Sequence, residues 1–373
     1  MKKFIVIIII GCLYYPSLSQ SKANFRKIQK YLDQAVEDGI SGVQVYIKTP
    51  KTGVWQGTAG YADKEKKELF NKDHMSSLAS VGKTYNAVAL FTLVEKGKIS
   101  IHHPIKKYLS ESIIDNLPNG DEITVRHLLN HSSGLVNYET DSVLNALYLS
   151  GKLKLDTLSH VGALERYVFG KEPHGEPGEK HRYSSTGYML NAMIMDELTE
   201  DGHTQYLRDL ISNWGFENTY YRETPPQNGI RYYGDLDQDG VQEDITDKTL
   251  ETTNWFIGDD GIYATAEEMG QFLERLWNGD ILGEDALKQM MTWDDEKDPD
   301  YGQGVFPDKS FPYKFTVGHS GRGIGSTADV YYFPKQEITV AIVSNTGLRA
   351  ANPKFRKAYL KMRNRIVKKL FLF

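Results

Sequence analysis

The sequence predicts a mixed α/β fold, an α+β arrangement whose sheet draws its strands from both ends of the chain. Short runs rich in β-branched and aromatic residues indicate strands. They fall near the two ends, at Ser41–Lys48, Gly53–Gly60, Ala328–Phe333 and Ile338–Val343. Between them, apolar residues recur mostly at helical spacing. We therefore predict an early hairpin, a discontinuous sheet domain at residues 20–94 and 255–373, and a mostly helical insertion at residues 95–254.

Residues 1–19 have the pattern of a secretory signal peptide. Two lysines follow the initial methionine, and Phe4–Ile10 form an apolar run too short to cross a bilayer comfortably. Small residues precede Gln20 and provide a cleavage point. We predict export, to the periplasm or as a secreted protein. The alternative is a lipoprotein anchored through Cys12, because a glycine directly precedes this cysteine.

The composition is that of a globular enzyme. The 373 residues are 40% hydrophobic and 25% charged, without a repeat or a low-complexity tract. Signal cleavage would remove Lys2 and Lys3 and no acidic residue, taking the formal net charge from −5 to −7. Nothing here favours nucleic-acid binding. Cys12 is the only cysteine, so ordinary cleavage would leave neither a disulfide nor a thiol mechanism.

The first candidate catalytic element is Ser80-Val-Gly-Lys83, at the start of a predicted helix. The helix is indicated by the apolar run Tyr85–Glu95, which ends near Gly97. At a helix N-terminus, unpaired N–H groups stabilise developing negative charge. Lys83 follows one turn after Ser80 on the same face. We expect burial to lower the pKa of Lys83 towards that of a working base.

Two later segments complete a set of candidate active-site residues. The first, Tyr183-Ser-Ser185, opens a long apolar helix that ends near Leu198. The second, His319-Ser-Gly321, lies in a glycine-rich strand pattern that allows a substrate backbone to approach closely. An S-x-x-K tetrapeptide alone is weak evidence, since a chain of this length contains on the order of one or two by chance. The three segments together indicate serine acyl transfer.

With these motifs, the chain resembles the serine β-lactamase and penicillin-binding protein superfamily, in the branch of class C β-lactamases, D,D-carboxypeptidases, D-aminopeptidases and related esterases. Further blocks agree in the same order: His103–Leu109, Ile123–Leu135, Trp214–Tyr221, Gly261–Leu273 and Gly318–Pro334. The resemblance covers nearly the whole chain. It implies a β-lactamase/transpeptidase-like fold, in which an antiparallel sheet flanked by helices and an all-α region enclose the active-site cleft.

The resemblance also implies the roles of the catalytic residues. Ser80 would be the nucleophile that forms an acyl-enzyme, and Lys83 its activating partner. Tyr183 would pass the proton to the leaving group. A phenol suits that role if nearby cations depress its pKa, and Lys83 is the cation expected to do so.

The third segment is implied to bind the substrate and its oxyanion. The backbone N–H groups of Ser80 and Arg322 would form the oxyanion hole. His319, followed by Ser320 and Gly321, occupies a place that is lysine in many β-lactamases. Histidine there is typical of the peptidase and esterase branches.

Two positions depart from the family pattern. Ser185 stands where the second motif usually has asparagine, and its hydroxyl is shorter than an amide that both donates and accepts. We expect weaker or water-bridged contacts to Lys83 and to a substrate carbonyl, and inefficient β-lactam hydrolysis. Arg322 carries a charged side chain that could pair with a substrate carboxylate. The alternative is a surface arginine of which only the backbone is used.

Other catalytic motifs fit poorly. Gly318–Arg322 departs from the G-x-S-x-G elbow because arginine replaces the final glycine and no helix follows. The glycines that follow have the wrong spacing for a dinucleotide fingerprint, and there is no Walker A sequence. His127 and His131 have the i,i+4 spacing of zinc ligands but lack the adjacent glutamate, so a helix end and a structural turn are the preferred interpretation.

An acidic loop resembles a calcium-binding loop. Asp235, Asp237 and Asp239 occupy positions 1, 3 and 5, with glycine at position 6 and Val241 at position 7. Position 12 is a threonine, so another acid would have to replace the usual glutamate: Glu243, Asp244 or Asp247. The alternatives are a structural calcium ion and a solvated acidic loop. Catalysis itself is expected to need no cofactor.

The basic C-terminal segment Lys354–Lys369 carries apolar residues at roughly helical spacing. A membrane-surface helix is one interpretation. A terminal helix packed on the sheet is the preferred one, and it also suits the family.

Together these observations predict an exported bacterial serine hydrolase that acts through a Ser80 acyl-enzyme on amide or peptide bonds, with D-amino-acid-containing peptides as the leading substrates. An esterase and a β-lactamase are alternatives within the family. A non-catalytic penicillin-recognising sensor or binding protein is the alternative outside enzymes. The expected partner is a small-molecule or peptide substrate, or a cell-wall fragment, and no stable protein partner is implied. Loops at about 138–175 and 229–254 are expected to select the substrate.

Overall fold

The computed structural model describes residues 18–223, 230–293, 301–307, 316–349 and 351–371. Its helices are α1 Leu18–Glu37, α2 Gly82–Glu95, α3 Glu111–Ile114, α4 Val125–Leu129, α5 Ser142–Leu149, α6 His160–Tyr167, α7 Ser185–Leu198, α8 Gly202–Asn213, α9 Thr246–Trp255, α10 Ala266–Trp277, α11 Glu284–Met290 and α12 Pro353–Leu370. Its strands are β1 Gly42–Thr49, β2 Gly53–Asp63, β3 Glu68–Leu69, β4 Ser76–Ser77, β5 Thr219–Tyr221, β6 Tyr233–Gly234, β7 Glu243–Asp244, β8 Ile262–Ala264, β9 Val317–Arg322, β10 Thr327–Phe333 and β11 Ile338–Ser344. Most of the predicted signal peptide, residues 1–17 with Cys12, lies outside the described residues.

The main sheet joins the two ends of the chain, as the sequence predicts. Its six strands run in the order β3-β2-β1-β11-β10-β9, and every neighbouring pair is antiparallel. The early hairpin is confirmed by the pairing of Val45 with Gly57 across β1 and β2. On its other side, Val45 pairs with Ile342 of β11. The predicted fold class, an antiparallel sheet flanked by helices, is confirmed.

Helices cover both faces of this sheet. On one face, α1 and α12 pack together, and Ile28, Phe355 and Tyr359 are buried against strand residues such as Val340. On the other face lies α10, where a Cβ at Gly270 would come within 2.7 Å of the Tyr46 ring. The predicted packing of the C-terminal helix on the sheet is confirmed. Among the described residues, no helix combines the length and the apolar character that a membrane crossing requires.

Helix α2 is the buried centre of the helical region. All its residues from Gly82 to Leu93 are buried, and α7, α8 and α11 pack around it. A helix that is apolar on every side is stable only when other elements surround it. Its N-terminus is held by a small sheet in the order β4-β8-β5, in which Ser76 pairs with Ala264. This sheet fixes the segment that carries Ser80.

Candidate active site

Ser80 lies in a 3₁₀ turn, Ala79–Val81, that leads directly into α2. The predicted position at a helix N-terminus is therefore confirmed. Ala79 adopts a left-handed backbone conformation with φ of 47°, which is uncommon for a residue with a Cβ and clusters at functional sites. The turn is anchored by Leu78, whose N–H donates to the Ile262 carbonyl of β8 at 2.9 Å. The surrounding structure thus holds the serine in a constrained conformation.

Lys83 lies beneath Ser80 and contacts it directly. Its Nζ is 3.1 Å from the Ser80 Oγ and 3.4 Å from the Asp259 carbonyl oxygen. The Asp259 Oδ2 is 3.7 Å from the same nitrogen, and the Lys83 side chain is 0% exposed. The lysine is therefore buried as predicted, but beside a carboxylate that the sequence did not reveal.

The predicted pKa of Lys83 is wrong in direction. Burial does favour the neutral amine, but attraction to Tyr183 in its ionised form, to Asp259 and to Glu139 outweighs it. The pKa of Lys83 is raised to about 12. The lysine is thus an ammonium group at neutral pH, and in the resting site it donates a hydrogen bond to Ser80.

Tyr183 lies on the other side of Ser80. Its ring centroid is 5.0 Å from the Lys83 Nζ, and the ring packs on His131 at a centroid distance of 4.1 Å. Burial of the hydroxyl raises the pKa of Tyr183, and the Lys83 charge together with hydrogen bonding to Ser80 lowers it by less. The expected net depression is therefore wrong, and Tyr183 is a neutral phenol at neutral pH.

Two adjacent acids, Asp259 and Asp260, line the cleft beside Lys83. Burial raises the pKa of Asp259 to about 7, opposed by Lys83. Burial and the neighbouring Asp259 raise the pKa of Asp260 to about 8. The Asp259 Oδ1 is buried and has no hydrogen-bond partner among the described residues. Such an oxygen is a ready acceptor for a donor group on a bound substrate.

Ser185 is hydrogen-bonded to an acid rather than to Lys83. Its Oγ donates to the Glu139 Oε2 at 2.7 Å. Arg349 holds the same carboxylate, with its Nη1 2.6 Å from the Glu139 Oε1. Burial would raise the pKa of Glu139, but the charges of Arg349 and Lys83 lower it by more. The short serine at this place therefore connects to a buried ion pair.

His319 is a buried, neutral residue of β9. Its Nδ1 donates to the Ser320 carbonyl at 2.9 Å, which leaves Nε2 to accept from the Tyr301 hydroxyl at 2.7 Å. Burial and the nearby charge of Lys83 lower the pKa of His319 to about 3. The Ser320 hydroxyl contacts Asp329 and Tyr331 of β10. His319 and Ser320 both line the cleft, as predicted.

Gly321 and Arg322 bring β9 against the turn that carries Ser80. A Cβ on Gly321 would lie 2.0 Å from the Leu78 carbonyl oxygen, so only glycine fits there without a shift. The Arg322 guanidinium is 2.9 and 3.1 Å from the two Asp329 carboxylate oxygens. It also donates to two strand carbonyls. The side chain is thus engaged within the protein, and the oxyanion role of its backbone N–H stays a prediction.

These residues surround one cleft of about 410 Å³. Ser80, Tyr183, His319 and Arg322 line it together, which brings the three predicted segments into one site. Its far side is mostly apolar and is formed by Leu144, Tyr148, Leu149, Leu155, Phe256, Phe306 and Ile324. Four of these, Leu144, Tyr148, Leu149 and Leu155, come from the first of the two loop regions, about 138–175, in which the sequence predicted substrate selection.

The candidate metal ligands divide into two cases. His127 and His131 are engaged separately, since the Nδ1 of His127 accepts from the Thr124 N–H and that of His131 from the Ser184 N–H. In the described ranges, the cluster of potential metal ligands is formed by three acids outside the cleft lining: Asp235, Asp237 and Asp239.

The sequence did not reveal Glu139, Asp259, Arg349 or Tyr301. Glu139 and Arg349 are 210 residues apart and belong to no local motif. Asp259 had a usable signal, because two adjacent acids inside the otherwise apolar run Trp255–Tyr263 must either be paired or have shifted pKa values when buried.

Comparison with known proteins gives one family. The model of the family described as Beta-lactamase matches residues 26–361. Penicillin-binding protein 4* of Bacillus subtilis (strain 168) is 23% identical over 327 residues, covering 83% of this chain and 68% of the relative. A putative penicillin-binding protein of the same strain, PbpX, is 25% identical over 290 residues, covering 75% and 65%. The chain thus spans about two thirds of the length of these relatives.

Solved structures share the fold. The D-amino acid amidase of Ochrobactrum anthropi SV3, in complex with L-phenylalanine amide, superposes with a TM-score of 0.75 at 23% identity, over 93% of this chain and 98% of the other. The D-stereospecific amidohydrolase of Streptomyces sp. gives a TM-score of 0.76 at 24% identity, over 89% and 97%. At these identities the likeness establishes the fold.

Proposed function

This chain belongs to the beta-lactamase family, and we propose that it is an exported member that cleaves amide or peptide bonds, in substrates containing D-amino acids, through a Ser80 acyl-enzyme. The chain is a serine hydrolase of the β-lactamase and penicillin-binding protein group. The observation that carries the proposal is the 3.1 Å contact between the Ser80 Oγ and the Lys83 Nζ at the base of the cleft. Export rests on the N-terminal sequence pattern.

The proposed acylation follows from the protonation states. Because Lys83 is an ammonium and Tyr183 a neutral phenol, this pair must first lose one proton before it can accept the proton of Ser80. The Ser80 oxygen then attacks the substrate carbonyl carbon, and the oxyanion is stabilised by the N–H groups of Ser80 and Arg322. Collapse breaks the carbon–nitrogen bond, Tyr183 returns the proton to the leaving amine, and water hydrolyses the ester that remains.

The charges around the cleft favour a substrate without a terminal carboxylate. Each basic side chain among the described lining residues and beneath Ser80 already has an acidic partner: Lys83 with Asp259, Arg322 with Asp329 and Arg349 with Glu139. His319 is neutral. Within the described part of the cleft, no free cation is therefore offered to a C-terminal carboxylate. This supports an amide of an amino acid over a peptide recognised by its carboxyl end.

The acyl half of the substrate is proposed to carry an amine and an apolar side chain. The unpartnered Asp259 Oδ1 could accept a hydrogen bond from an ammonium group close to Ser80. The far wall, with Leu144, Leu149 and Phe256, suits an aliphatic or aromatic side chain. The choice of D configuration is supported by the activities named for the structural neighbours.

The test is turnover of a substrate panel by wild type and Ser80→Ala. The panel contains D- and L-phenylalanine amide, a D-Ala-D-Ala peptide, a penicillin and a nitrophenyl ester. We expect Ser80-dependent release of ammonia from the D-amide, at a kcat/KM above that for the L-amide and the carboxylate-ended peptide. Ser110→Ala, an exposed serine away from the cleft, is the matched control.

Each other outcome revises the proposal. Turnover of the ester alone would make the protein an esterase, and rapid turnover of penicillin a β-lactamase. A single stoichiometric burst without turnover would indicate a penicillin-recognising sensor. Equal activity of Ser80→Ala and wild type would overturn the catalytic assignment.

A further inference from the structure

The loop from Asp235 to Glu243 joins β6 and β7 and lies outside the cleft lining. One carboxylate oxygen from each of Asp235, Asp237 and Asp239 lies within 4.8 Å of the other two. Two oxygens bound to one calcium ion at 2.3–2.6 Å each can be at most about 5 Å apart, so the separation fits a shared ion. Without a cation, three like charges at this distance repel one another.

Asp235 supplies the second observation. It is 1% exposed, and its Oδ2 accepts the N–H groups of Gly240 at 3.1 Å and Asn352 at 3.2 Å. Its Oδ1 is buried and has no hydrogen-bond partner in the part of the chain that the structure describes. A buried carboxylate oxygen left without a donor or a cation is costly. This oxygen belongs to the first residue of the cluster, where a cation would satisfy it.

The described residues supply no cation to these three acids. Among the hydrogen bonds of the described residues, the other two carboxylates accept backbone N–H groups only, Asp237 from Asp239 and Asp239 from Val241. Across the described ranges, no lysine or arginine nitrogen lies within 4.0 Å of the three carboxylates. The nearby Lys354 donates instead to the Gly240 carbonyl. No ion pair among the described residues therefore compensates the negative charge of the cluster.

We propose that this loop binds one calcium ion through the carboxylates of Asp235, Asp237 and Asp239, with the Val241 carbonyl and the Glu243 side chain as further oxygen ligands. The all-oxygen set at alternate positions suits a hard divalent cation. Calcium accepts six to eight ligands in flexible geometry, whereas magnesium demands a tight octahedron and keeps several waters. Waters would complete the shell around the five protein ligands.

The bound ion would fix the start of the C-terminal helix. The loop holds Asn352 through the Asp235 carboxylate and through the Gln238 carbonyl, which accepts the Asn352 Nδ2 at 3.1 Å. Lys354, in the first turn of α12, donates to Gly240. An ion that orders this loop would therefore also hold the N-terminus of α12 in place. This helix covers one face of the main sheet.

The proposal is tested on the full chain after signal cleavage, freed of metal with EDTA and dialysed. Calcium and magnesium chloride are titrated by calorimetry, and thermal unfolding is followed in each salt and in EDTA. The variant Asp237→Asn/Asp239→Asn keeps the acceptors of the turn N–H groups and removes two charges. Asp280→Asn, an exposed acid away from the loop, is the control.

We expect wild type and the control to bind one calcium ion per chain and to melt at a higher temperature in calcium than in EDTA. In the double variant the affinity should fall at least tenfold, with loss of the shift in melting temperature at the same calcium concentration. Absence of both binding heat and a melting shift in wild type would overturn the site. Unchanged calcium binding in the double variant would show that Asp237 and Asp239 are not ligands. Magnesium binding as tight as that of calcium, or tighter, would overturn the choice of calcium.

Discussion

At the level of single residues, the charge of Lys83 depends on two carboxylates that no motif contains. Together with the ionised form of Tyr183, Asp259 and Glu139 raise the pKa of Lys83 and favour its ammonium form, so the resting lysine donates to Ser80 instead of accepting from it. The pH at which the site becomes competent is therefore a property of the whole charged group. This group consists of Ser80, Lys83, Tyr183 and the two acids.

Replacement of Asp259 by asparagine tests this dependence. Loss of the carboxylate removes a charge that stabilises the Lys83 ammonium, so the pKa of Lys83 should fall. The proton of the Lys83–Tyr183 pair would then leave at lower pH. We expect the rising limb of kcat/KM against pH to move towards acid by about one pH unit, measured with a nitrophenyl ester.

Asp280→Asn is the control for general surface charge in this profile. If the rising limb of the kcat/KM profile stays at the same pH in Asp259→Asn, or moves to higher pH, Asp259 does not stabilise the ammonium form of Lys83.

The sequence brought Ser80, Lys83 and Tyr183 together correctly, because each lies in a recognisable local motif. Ser80 and Tyr183 line one cleft, and Lys83 lies beneath Ser80. It gave the wrong direction for two pKa values because these depend on partners distant in the chain. Glu139 and Arg349 come into contact only in the folded chain. No sequence pattern near either residue predicts this ion pair. Local sequence patterns therefore identify the candidate catalytic residues more readily than they predict the pKa values of those residues.

At the level of elements, the site depends on how closely β9 approaches the turn before α2. Gly321 permits this contact, since any Cβ there would meet the Leu78 carbonyl at 2.0 Å. The strand brings Arg322 beside Ser80 in the same cleft wall. The position of the proposed oxyanion hole is thus fixed by backbone packing.

Gly321→Ala should push β9 away from this turn. Overpacking of this kind costs about 1–3 kcal/mol of stability, and displacement of one oxyanion donor costs about 10²–10³ in kcat. We expect both losses, measured by denaturant unfolding and by kcat with the best substrate.

Gly162→Ala in α6 is the matched control, because its new Cβ would meet only side-chain atoms of Ser159 and Leu158. It should keep wild-type kcat. Full activity in Gly321→Ala would show that the close approach of β9 is not required.

Helix α5 forms part of the apolar wall, and Leu149 faces the cleft from it. Leu149→Ala should weaken the preference for a long acyl chain, because a lost contact of this size is worth about 1–3 kcal/mol. We expect the ratio of kcat/KM for nitrophenyl hexanoate and acetate to fall about tenfold.

Val143 lies on the same helix but is 58% exposed and outside the cleft lining. Val143→Ala should therefore leave the ratio unchanged. An equal effect of the two substitutions would remove α5 from the substrate site.

The elements that the sequence predicted best have strong and uninterrupted patterns. β1, β2, β10, β11, α2 and α7 were all found near their observed bounds. Two- and three-residue strands such as β4 and β8 were not predicted, because so short a segment has no measurable period. Tertiary packing forms these short strands, and they hold the turn that carries Ser80.

At the level of the whole molecule, burial of acids in the cleft links stability to pH. Asp260 has a pKa of about 8 in the fold, against 3.8 as the ordinary value. The folded state therefore binds this proton more tightly than the unfolded chain does. The resulting contribution of Asp260 to the free energy of unfolding is fully present below about pH 4 and is lost as the pH rises through about 8. Asp259 acts in the same direction, with a folded pKa of about 7.

Asp260→Asn should remove this dependence, since an amide stays neutral throughout. We expect the variant to gain stability over wild type as the pH rises from 4 to 9, by about 2 kcal/mol or more. Chemical denaturation at several pH values measures it. A constant difference across this range would show that Asp260 is not protonated by burial.

The same principle explains why the sequence predicted the fold better than the chemistry. Joining the two chain ends through β1 and β11 follows from strand patterns that each end carries alone. The protonation of the cleft follows from the burial of particular acids, which depends on the completed packing.

The central claim is that Ser80 forms a covalent acyl-enzyme, and intact-mass spectrometry after rapid acid quench tests it most directly. Wild type and Ser80→Ala are mixed with a nitrophenyl ester or a penicillin, and the labelled peptide is sequenced. We predict an added mass equal to the acyl group on Ser80 in wild type and none in Ser80→Ala. An adduct on another residue, or undiminished turnover by Ser80→Ala, would contradict the claim.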